Sequence, residues 1–247
     1  MAGRFLLVIV LGLGLLCSGG GSWGADVKAI MAQADALWPQ RADLSKCRES
    51  IRLYEEVIAQ DTSNVEALWK TARAHWWLGS HSPEGEKLAI FEKGTEYAKK
   101  GVMHKDDCVD CHYWLGVNYG VYGEAKGVLK SLSLVDPIKE EMERVIKLDP
   151  GFMHGGAYRV LGRMAYKLPW IAGGSKKESV EQLKKALQYG PNSFLTRVFL
   201  AETYLDMDEK ELARKELEWC INAADAADPG DKEDREKARK LYEKHFK

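Results

Sequence analysis

The chain has 247 residues, of which 36 are basic and 37 acidic, and its formal net charge is −1 at pH 7. The two signs are interspersed, so the composition lacks the basic face that nucleic-acid binding requires and excludes that class of function. The length suits one large domain or a short array of helical repeats.

The first 24 residues have the composition of a cleaved signal peptide. Arg4 supplies a positive start, an uncharged apolar run follows, and the small residues Ser22 and Gly24 flank Trp23 before the cleavage point. We therefore expect a mature chain of residues 25–247 in a bacterial periplasm, without a transmembrane span. Cys17 ends the apolar run as in a lipoprotein signal, but the bulky residue before it makes lipid anchoring the less favoured alternative.

The mature chain shows helical periodicity bounded by turn signals, and it lacks the alternation typical of strands. The last predicted helix is highly charged, and we interpret it as a solvated capping helix. The predicted helices span residues 26–38, 44–60, 64–79, 86–101, 107–123, 135–148, 152–167, 176–189, 192–206, 209–224 and 231–246.

Turn signals recur at intervals of roughly 41 to 46 residues, each between the end of one helix and the start of the next. They stand at Asp61-Thr62, Met103-His104, Asp149-Pro150 and Gly190-Pro191. A helix pair of this kind cannot bury its apolar face alone, so neighbouring pairs must stack. The pattern predicts one all-α domain over 25–247, a tetratricopeptide-like superhelix of helix-turn-helix repeats, with its clearest repeats in 62–226.

Cys108, Cys111 and His112 form the C-x-x-C-H pattern by which c-type haem is attached. A second iron ligand could come from Met103, His104 or His154. A structural disulfide and buried thiols are open alternatives for the two cysteines. Zinc has suitable ligand types here, but the spacing is too compressed for closed tetrahedral binding, and we predict no metal site.

Four cysteines follow the predicted leader, and sequence alone allows three ways of pairing them. They are Cys47, Cys108, Cys111 and Cys220.

Aromatic and basic side chains at helical spacing suggest a ligand groove on the concave face. An apolar concavity with a few polar groups suits small ligands or peptides, and a guanidinium matches a carboxylate. The candidate groove residues are Trp77, Tyr119, Tyr122, Arg159, Arg163 and Trp170. The chain shows no catalytic constellation, so we predict that it is not an enzyme and has no catalytic residues.

Two motifs resemble the T component of TRAP transporters (TatT), a family of periplasmic tetratricopeptide-like proteins. One is the run from His112 to Gly120, and the other extends from Tyr158 through Leu161 and Gly162 to Pro169. The resemblance implies a non-catalytic scaffold without a cofactor, which docks the transporter's substrate-binding protein. It also implies small apolar or organic-acid ligands and a homo-oligomer such as a trimer. The alternative from a different class is a monohaem c-type electron carrier, with covalent haem as its cofactor.

Overall fold

The computed structural model describes residues 23–224 and 226–247, and these residues form helices and turns without a β-strand. The predicted all-α class is therefore confirmed. The predicted leader lies, up to residue 22, outside the described residues, and so does Cys17. Among the described helices, none is long and apolar enough to cross a membrane. The α-helices are α1 (Trp23–Leu37), α2 (Leu44–Gln60), α3 (Val65–Ser80), α4 (Glu84–His104), α5 (Val109–Lys126), α6 (Val128–Ser133), α7 (Val135–Leu148), α8 (Phe152–Lys167), α9 (Lys176–Tyr189), α10 (Phe194–Asp206), α11 (Lys210–Asn222) and α12 (Pro229–Phe246).

The predicted helix bounds lie within about three residues of the observed ones, because helix ends follow local sequence signals. Asn64 and Ser193 precede α3 and α10, and their side-chain oxygens accept hydrogen bonds from backbone N–H groups of the first turn. Short elements show no periodicity, so the sequence does not predict α6 or two 3-10 turns. The turns lie at Trp38–Gln40 and Trp170–Ala172.

The helices stack as pairs in two layers. Each inner helix packs on its outer partner and on the next inner helix, so α3, α5, α8 and α10 form one layer and α4, α7, α9 and α11 the other. The inner helices begin at Val65, Val109, Phe152 and Phe194, in agreement with the predicted repeat. Stacking of such pairs curves the array, and the inner layer forms its concave face.

Glycines allow the helices of a pair to approach closely. Gly116 of α5 lies against Met142 of α7, and Gly162 of α8 lies against Leu183 of α9. A Cβ at Gly162 would come within 2.8 Å of Leu183 Cγ, so a larger residue would force the helices apart. The glycines of both sequence motifs therefore serve the packing of helix pairs.

The first turn of α8 has a left-handed backbone. Met153, His154 and Gly155 have φ values of 49°, 58° and 71°. In this region the Cβ of an L-residue approaches its own carbonyl, at a cost of roughly 1–2 kcal/mol per residue. The turn leaves the carbonyl of Met153 free to accept a hydrogen bond from Arg159 Nη1, at 3.3 Å.

The charged C-terminal helix packs on the last helix pair and leaves most of its residues exposed or half-buried, so its role as a solvated cap stays a prediction. In α12, Ala238 is fully buried, and Leu241, Tyr242 and Phe246 pack against the core cluster of α10 and α11. Because α12 buries only a narrow stripe of its surface, a few apolar residues are enough to pack it against α10 and α11. Its first turns extend beyond the stack, towards the N-terminal repeat.

Candidate functional site

The concave face encloses a cavity of about 1340 Å³. Inner helices supply part of its wall, with Trp76 from α3, Trp114 from α5, His154 from α8 and Phe194 from α10, and loops and α11 supply more of it. The start of α12 covers one side. A concave, partly apolar space with a few convergent polar groups is the usual form of a ligand site, so this cavity is the candidate functional site.

An arginine–carboxylate ion pair and a histidine–carboxylate contact join the start of α12 to the N-terminal repeat. Arg41, which precedes α2, donates a hydrogen bond to Asp228, the N-cap residue of α12. His81 follows α3, and its Nε2 lies 2.9 Å from Glu233 Oε2. We name these two pairs the clasp. They connect residues 187 and 152 positions apart, so the clasp brings the two ends of the stack together across the cavity.

Three arginines line the cavity near the clasp. Arg41 is 5% exposed and Arg159 is 7% exposed. The guanidinium of Arg41 lies 4.5 Å from the ring centroid of Trp38 and 4.4 Å from that of Trp77. Arg73 lies 4.0 Å from the centroid of Trp38. Aromatic faces stabilise these cations where they have lost much of their water.

Two of these arginines have no carboxylate partner within 4.0 Å among the described residues. Arg159 instead donates hydrogen bonds to Tyr113 Oη, at 3.0 Å, and to the carbonyl of Met153. The Nε atoms of Arg41 and Arg73 are buried without a hydrogen-bond partner. Burial also lowers the pKa of Arg73 from its ordinary value. The wall therefore presents cationic groups with unused hydrogen-bonding capacity.

The start of α12 faces this wall with four carboxylates: Asp228, Asp231, Glu233 and Asp234. Burial is the main cause that raises the pKa of Asp231, and burial raises the pKa of Asp234 to about 7. Neighbouring Asp231 and Glu233 raise the pKa of Asp234 further, while Lys237 and Arg159 oppose the shift. Desolvation therefore destabilises the charged form of Asp234 by more than the nearby cations stabilise it.

A second, more apolar pocket of about 680 Å³ lies between α5, α6 and α8. Tyr119, Arg159 and Arg163 of the predicted groove line it. Arg163 is already paired, because its Nη1 lies 2.7 Å from Glu202 Oε2. The pocket brings half of the predicted groove residues together, and their role in ligand binding stays a prediction.

Of the other three predicted groove residues, Trp77 lines the first cavity and two lie outside both pockets. Trp77 is 2% exposed and donates its Nε1–H to the carbonyl of Arg41, so its neighbour Trp76 presents the more accessible ring in the cavity wall. Tyr122 donates a hydrogen bond to Glu92 at 3.3 Å and is not among the residues lining either pocket. Trp170 is 84% exposed in a 3-10 turn, also outside both pockets. Helical spacing could not reveal which of two adjacent tryptophans faces the concave side.

The C-x-x-C-H residues have structural roles. Cys108 and Cys111 form a disulfide at the start of α5, where Cys108 Sγ also accepts a hydrogen bond from the N–H of Cys111. His112 is buried, with Nδ1 2.5 Å from Glu141 Oε2 and Nε2 2.8 Å from the carbonyl oxygen of Asp106. Haem attachment would need both thiols and a free ring nitrogen, so these residues do not fit the haem alternative.

Cys47 and Cys220 are buried free thiols. Burial raises the pKa of Cys47 to about 11 and that of Cys220 to about 12. Both thiols are therefore protonated near neutral pH and unreactive. Of the pairings open in the sequence, the structure has the local one between Cys108 and Cys111.

These features define the class of protein. Helix pairs stacked in two layers around a concave cavity make an α-solenoid of the tetratricopeptide type. The fold is similar to the crystal structure of TTC0263, a thermophilic TPR protein in Thermus thermophilus, with a TM-score of 0.65 at 17% identity over 87% of this chain and 97% of that one. It is also similar to MamA 41-end from Desulfovibrio magneticus RS-1, with a TM-score of 0.51 at 15% identity over 80% and 93% of the two chains.

The sequence places the chain within this class. It matches the family "Regulator of microtubule dynamics protein 1-3" over residues 30–246, and the chain belongs to that family. Regulator of microtubule dynamics protein 1 of Mus musculus is 25% identical over 81% of this chain and 68% of its own length. Regulator of microtubule dynamics protein 3 of Xenopus laevis is 27% identical over 72% of this chain and 41% of its own length. The chain thus spans about two thirds of the first relative and less than half of the second.

The family overturns the resemblance to the TRAP transporter T component. That assignment was wrong because its motif residues, such as Gly116 and Gly162, meet the packing needs of helix pairs and do not specify one family. The expected substrate-binding partner, the trimer and the transporter ligands depended on that resemblance, so these predictions are wrong as well.

The electron-carrier alternative is also wrong. The family is one of regulators of microtubule dynamics, and the C-x-x-C-H residues have structural roles in the fold. The periplasmic location is contradicted as well, because the matching relatives are eukaryotic proteins.

Sequence reasoning missed the basic wall and the acidic start of α12. Arg41 stands in an ordinary turn and Arg73 among ordinary helix residues, and the acidic residues of α12 are typical of a solvated helix. The clustering of acidic residues between Asp228 and Asp234 was a signal, but their partners lie in the N-terminal repeat.

Proposed function

We propose that this chain is a protein-binding scaffold that contributes to the regulation of microtubule dynamics. The role comes from the relatives, which carry it in their names, and from membership of their family. The observation that supports a binding role is the cavity on the concave face, with its exposed aromatic and unpaired basic groups. α-Solenoids use such concave surfaces to hold segments of other proteins. The proposal includes no catalytic step.

The test is the assembly of purified tubulin in the presence of the full chain. We expect the chain to co-sediment with microtubules or with tubulin and to change the rate of growth or shortening of single microtubules seen by fluorescence microscopy. Trp76→Ala should reduce the effect, because it removes the accessible ring from the cavity wall. Arg52→Gln is the control, since Arg52 is an exposed residue of α2 whose ion pairs, within the described residues, are with Glu49 and Glu56 on the same helix. Unchanged microtubules together with an absence of co-sedimentation would refute the proposal.

A further inference from the structure

The three cavity arginines point to the chemistry of the partner. Arg73 and Arg159 have no carboxylate within ion-pair distance in the described part of the chain, and Arg41 has one, from α12. A buried guanidinium without an anion loses hydration that aromatic faces and neutral acceptors replace only in part. A ligand that brings carboxylates to this wall would gain both the charge attraction and the forked hydrogen bonds that a guanidinium offers.

The start of α12 shows which kind of segment the wall accepts. The stretch Asp228-Pro-Gly-Asp-Lys-Glu-Asp234 carries four carboxylates on its cavity side. It is an imperfect occupant, because only Asp228 reaches an arginine and a cavity of about 1340 Å³ is left beside it. A second acidic segment therefore has both room and unpaired cations available.

Other anions fit this wall less well. A nucleic acid is bound through an extended basic face, whereas here the cations are confined to a cavity that α12 partly covers with negative charge. Aromatic rings beside Arg41 and Arg73 suit a peptide. Its apolar side chains and backbone can lie on Trp38, Trp76 and Trp77 while its carboxylates reach the arginines.

We propose that the concave cavity binds an acidic peptide segment of a partner protein, whose carboxylates pair with Arg73 and Arg159, and that the clasp restricts entry to it. The proposal rests on the proposed function, for which it names the chemistry of the partner segment. When the clasp opens, the acidic start of α12 moves away from Arg41, and the incoming segment meets three arginines instead of two.

The experiment measures binding of a fluorescently labelled oligoglutamate peptide to the full chain by anisotropy, with an oligoglutamine peptide of the same length as the matched control. We expect saturable binding of the first peptide alone. Arg73→Gln and Arg159→Gln should each weaken it by about tenfold or more, as loss of one partner from a buried charge pair does. Arg52→Gln changes the net charge equally at an exposed site and should leave the affinity unchanged.

The clasp is tested with Asp228→Asn combined with Glu233→Gln, which leaves the arginines untouched. This variant should bind the acidic peptide several-fold more tightly, because it removes the carboxylate that competes for Arg41 and one more of the four on the cavity side. Far-UV circular dichroism and thermal unfolding establish that each variant is folded. If Arg159→Gln fails to fold, the clasp variant and Arg73→Gln still test whether the cavity binds the acidic peptide.

Equal binding of the two peptides, or an equal loss in Arg52→Gln and Arg73→Gln, would overturn the proposal. Equal competition by single-stranded DNA would also overturn it, since the wall would then be a general polyanion surface.

The results distinguish a failure of the peptide site from a failure of the proposed function. Specific peptide binding without any effect on microtubules would refute the proposed function alone. A microtubule effect that persists in Arg73→Gln and Arg159→Gln would refute the acidic-peptide site alone.

Discussion

His112 shows how one buried side chain connects three segments of the chain. Its ring nitrogens bind Glu141 of α7 and the carbonyl oxygen of Asp106 in the loop before α5. Burial opposes the charged ring, but the hydrogen bonds to Glu141 and Asp106 and their charges outweigh it, so the pKa of His112 lies above its ordinary value of 6.5. The histidine that completes the C-x-x-C-H pattern therefore holds the helix pair together.

Replacing Glu141 should lower the pKa of His112. Because the folded-state pKa is raised, the pair contributes stability that is present below the unfolded pKa and is lost as the pH rises through the folded pKa. Glu141→Gln should remove this dependence, and the ring signals of His112 in an NMR titration should report the lower pKa. Glu143→Gln, at an exposed position of α7, is the control. An unchanged His112 titration in Glu141→Gln would contradict the assignment.

Asp234 behaves in the opposite way to an ordinary surface acid. Its folded-state pKa of about 7 exceeds the ordinary value of 3.8, so the folded chain binds the proton more tightly than the unfolded chain. The free energy of unfolding should therefore fall as the pH rises from about 4 to about 7 and then level off.

Asp234→Asn should remove this loss and raise the free energy of unfolding at pH 8 by on the order of 2 kcal/mol. Urea unfolding at pH 5 and pH 8 measures the change, which should be small at the lower pH. Glu236→Gln alters an exposed acid of the same helix and should change stability little at either pH. An equal effect of Asp234→Asn at both values would show that its charge is not the cause.

At the scale of the helices, the left-handed first turn of α8 and its contact with α9 are the most constrained feature. A Cβ at Gly155 would come within 2.7 Å of the carbonyl oxygen of Ala186, on a backbone with φ of 71°. Strained turns of this kind cluster at functional sites. Here the turn places His154 and the carbonyl of Met153 on the cavity wall.

Gly155→Ala should lower the free energy of unfolding by roughly 2–4 kcal/mol, since it combines an unfavourable φ with a clash against the backbone of α9. Gly120→Ala is a matched change within α5, where a Cβ would meet open space. It should stabilise the chain by about 0.5–1 kcal/mol through a better helix propensity. Thermal and urea unfolding measure both. Similar stability of the two variants would contradict the close contact at Gly155.

At the scale of the whole molecule, the clasp is a contact of a different kind from the rest. A solenoid is held together by contacts between neighbouring repeats, and such stacks bend easily. The clasp joins the first and last parts of the stack, through the buried Arg41 and three partly exposed residues. It therefore constrains the curvature of the molecule.

Asp228→Asn with Glu233→Gln should increase the radius of gyration measured by small-angle X-ray scattering. The free energy of unfolding should fall by about 1–3 kcal/mol, because the buried guanidinium of Arg41 loses its anion. Glu236→Gln with Glu243→Gln removes the same charge from exposed positions of α12 and should leave the scattering unchanged. A clasp variant with an unaltered radius would mean that helix packing alone sets the curvature.

The sequence by itself determined the helices, their approximate ends and the repeat, because these depend on residues close together in the chain. Caps such as Asn64 and Ser193 and the glycines that allow helix pairs to pack act within one or two neighbouring elements. The two motifs that resemble the TRAP transporter T component also reflect local packing. They were misleading because many solenoids need similar packing residues.

Only the tertiary structure decided what faces the cavity and what closes it. Small rotations from repeat to repeat add up along the stack. Their sum places Asp228 beside Arg41 and makes Trp76 more accessible than Trp77 in the cavity wall. No local pattern contains that sum. The basic wall, the half-buried carboxylate of Asp234 and the clasp exist because distant segments meet. The candidate site therefore depends on a fold that local sequence patterns do not specify.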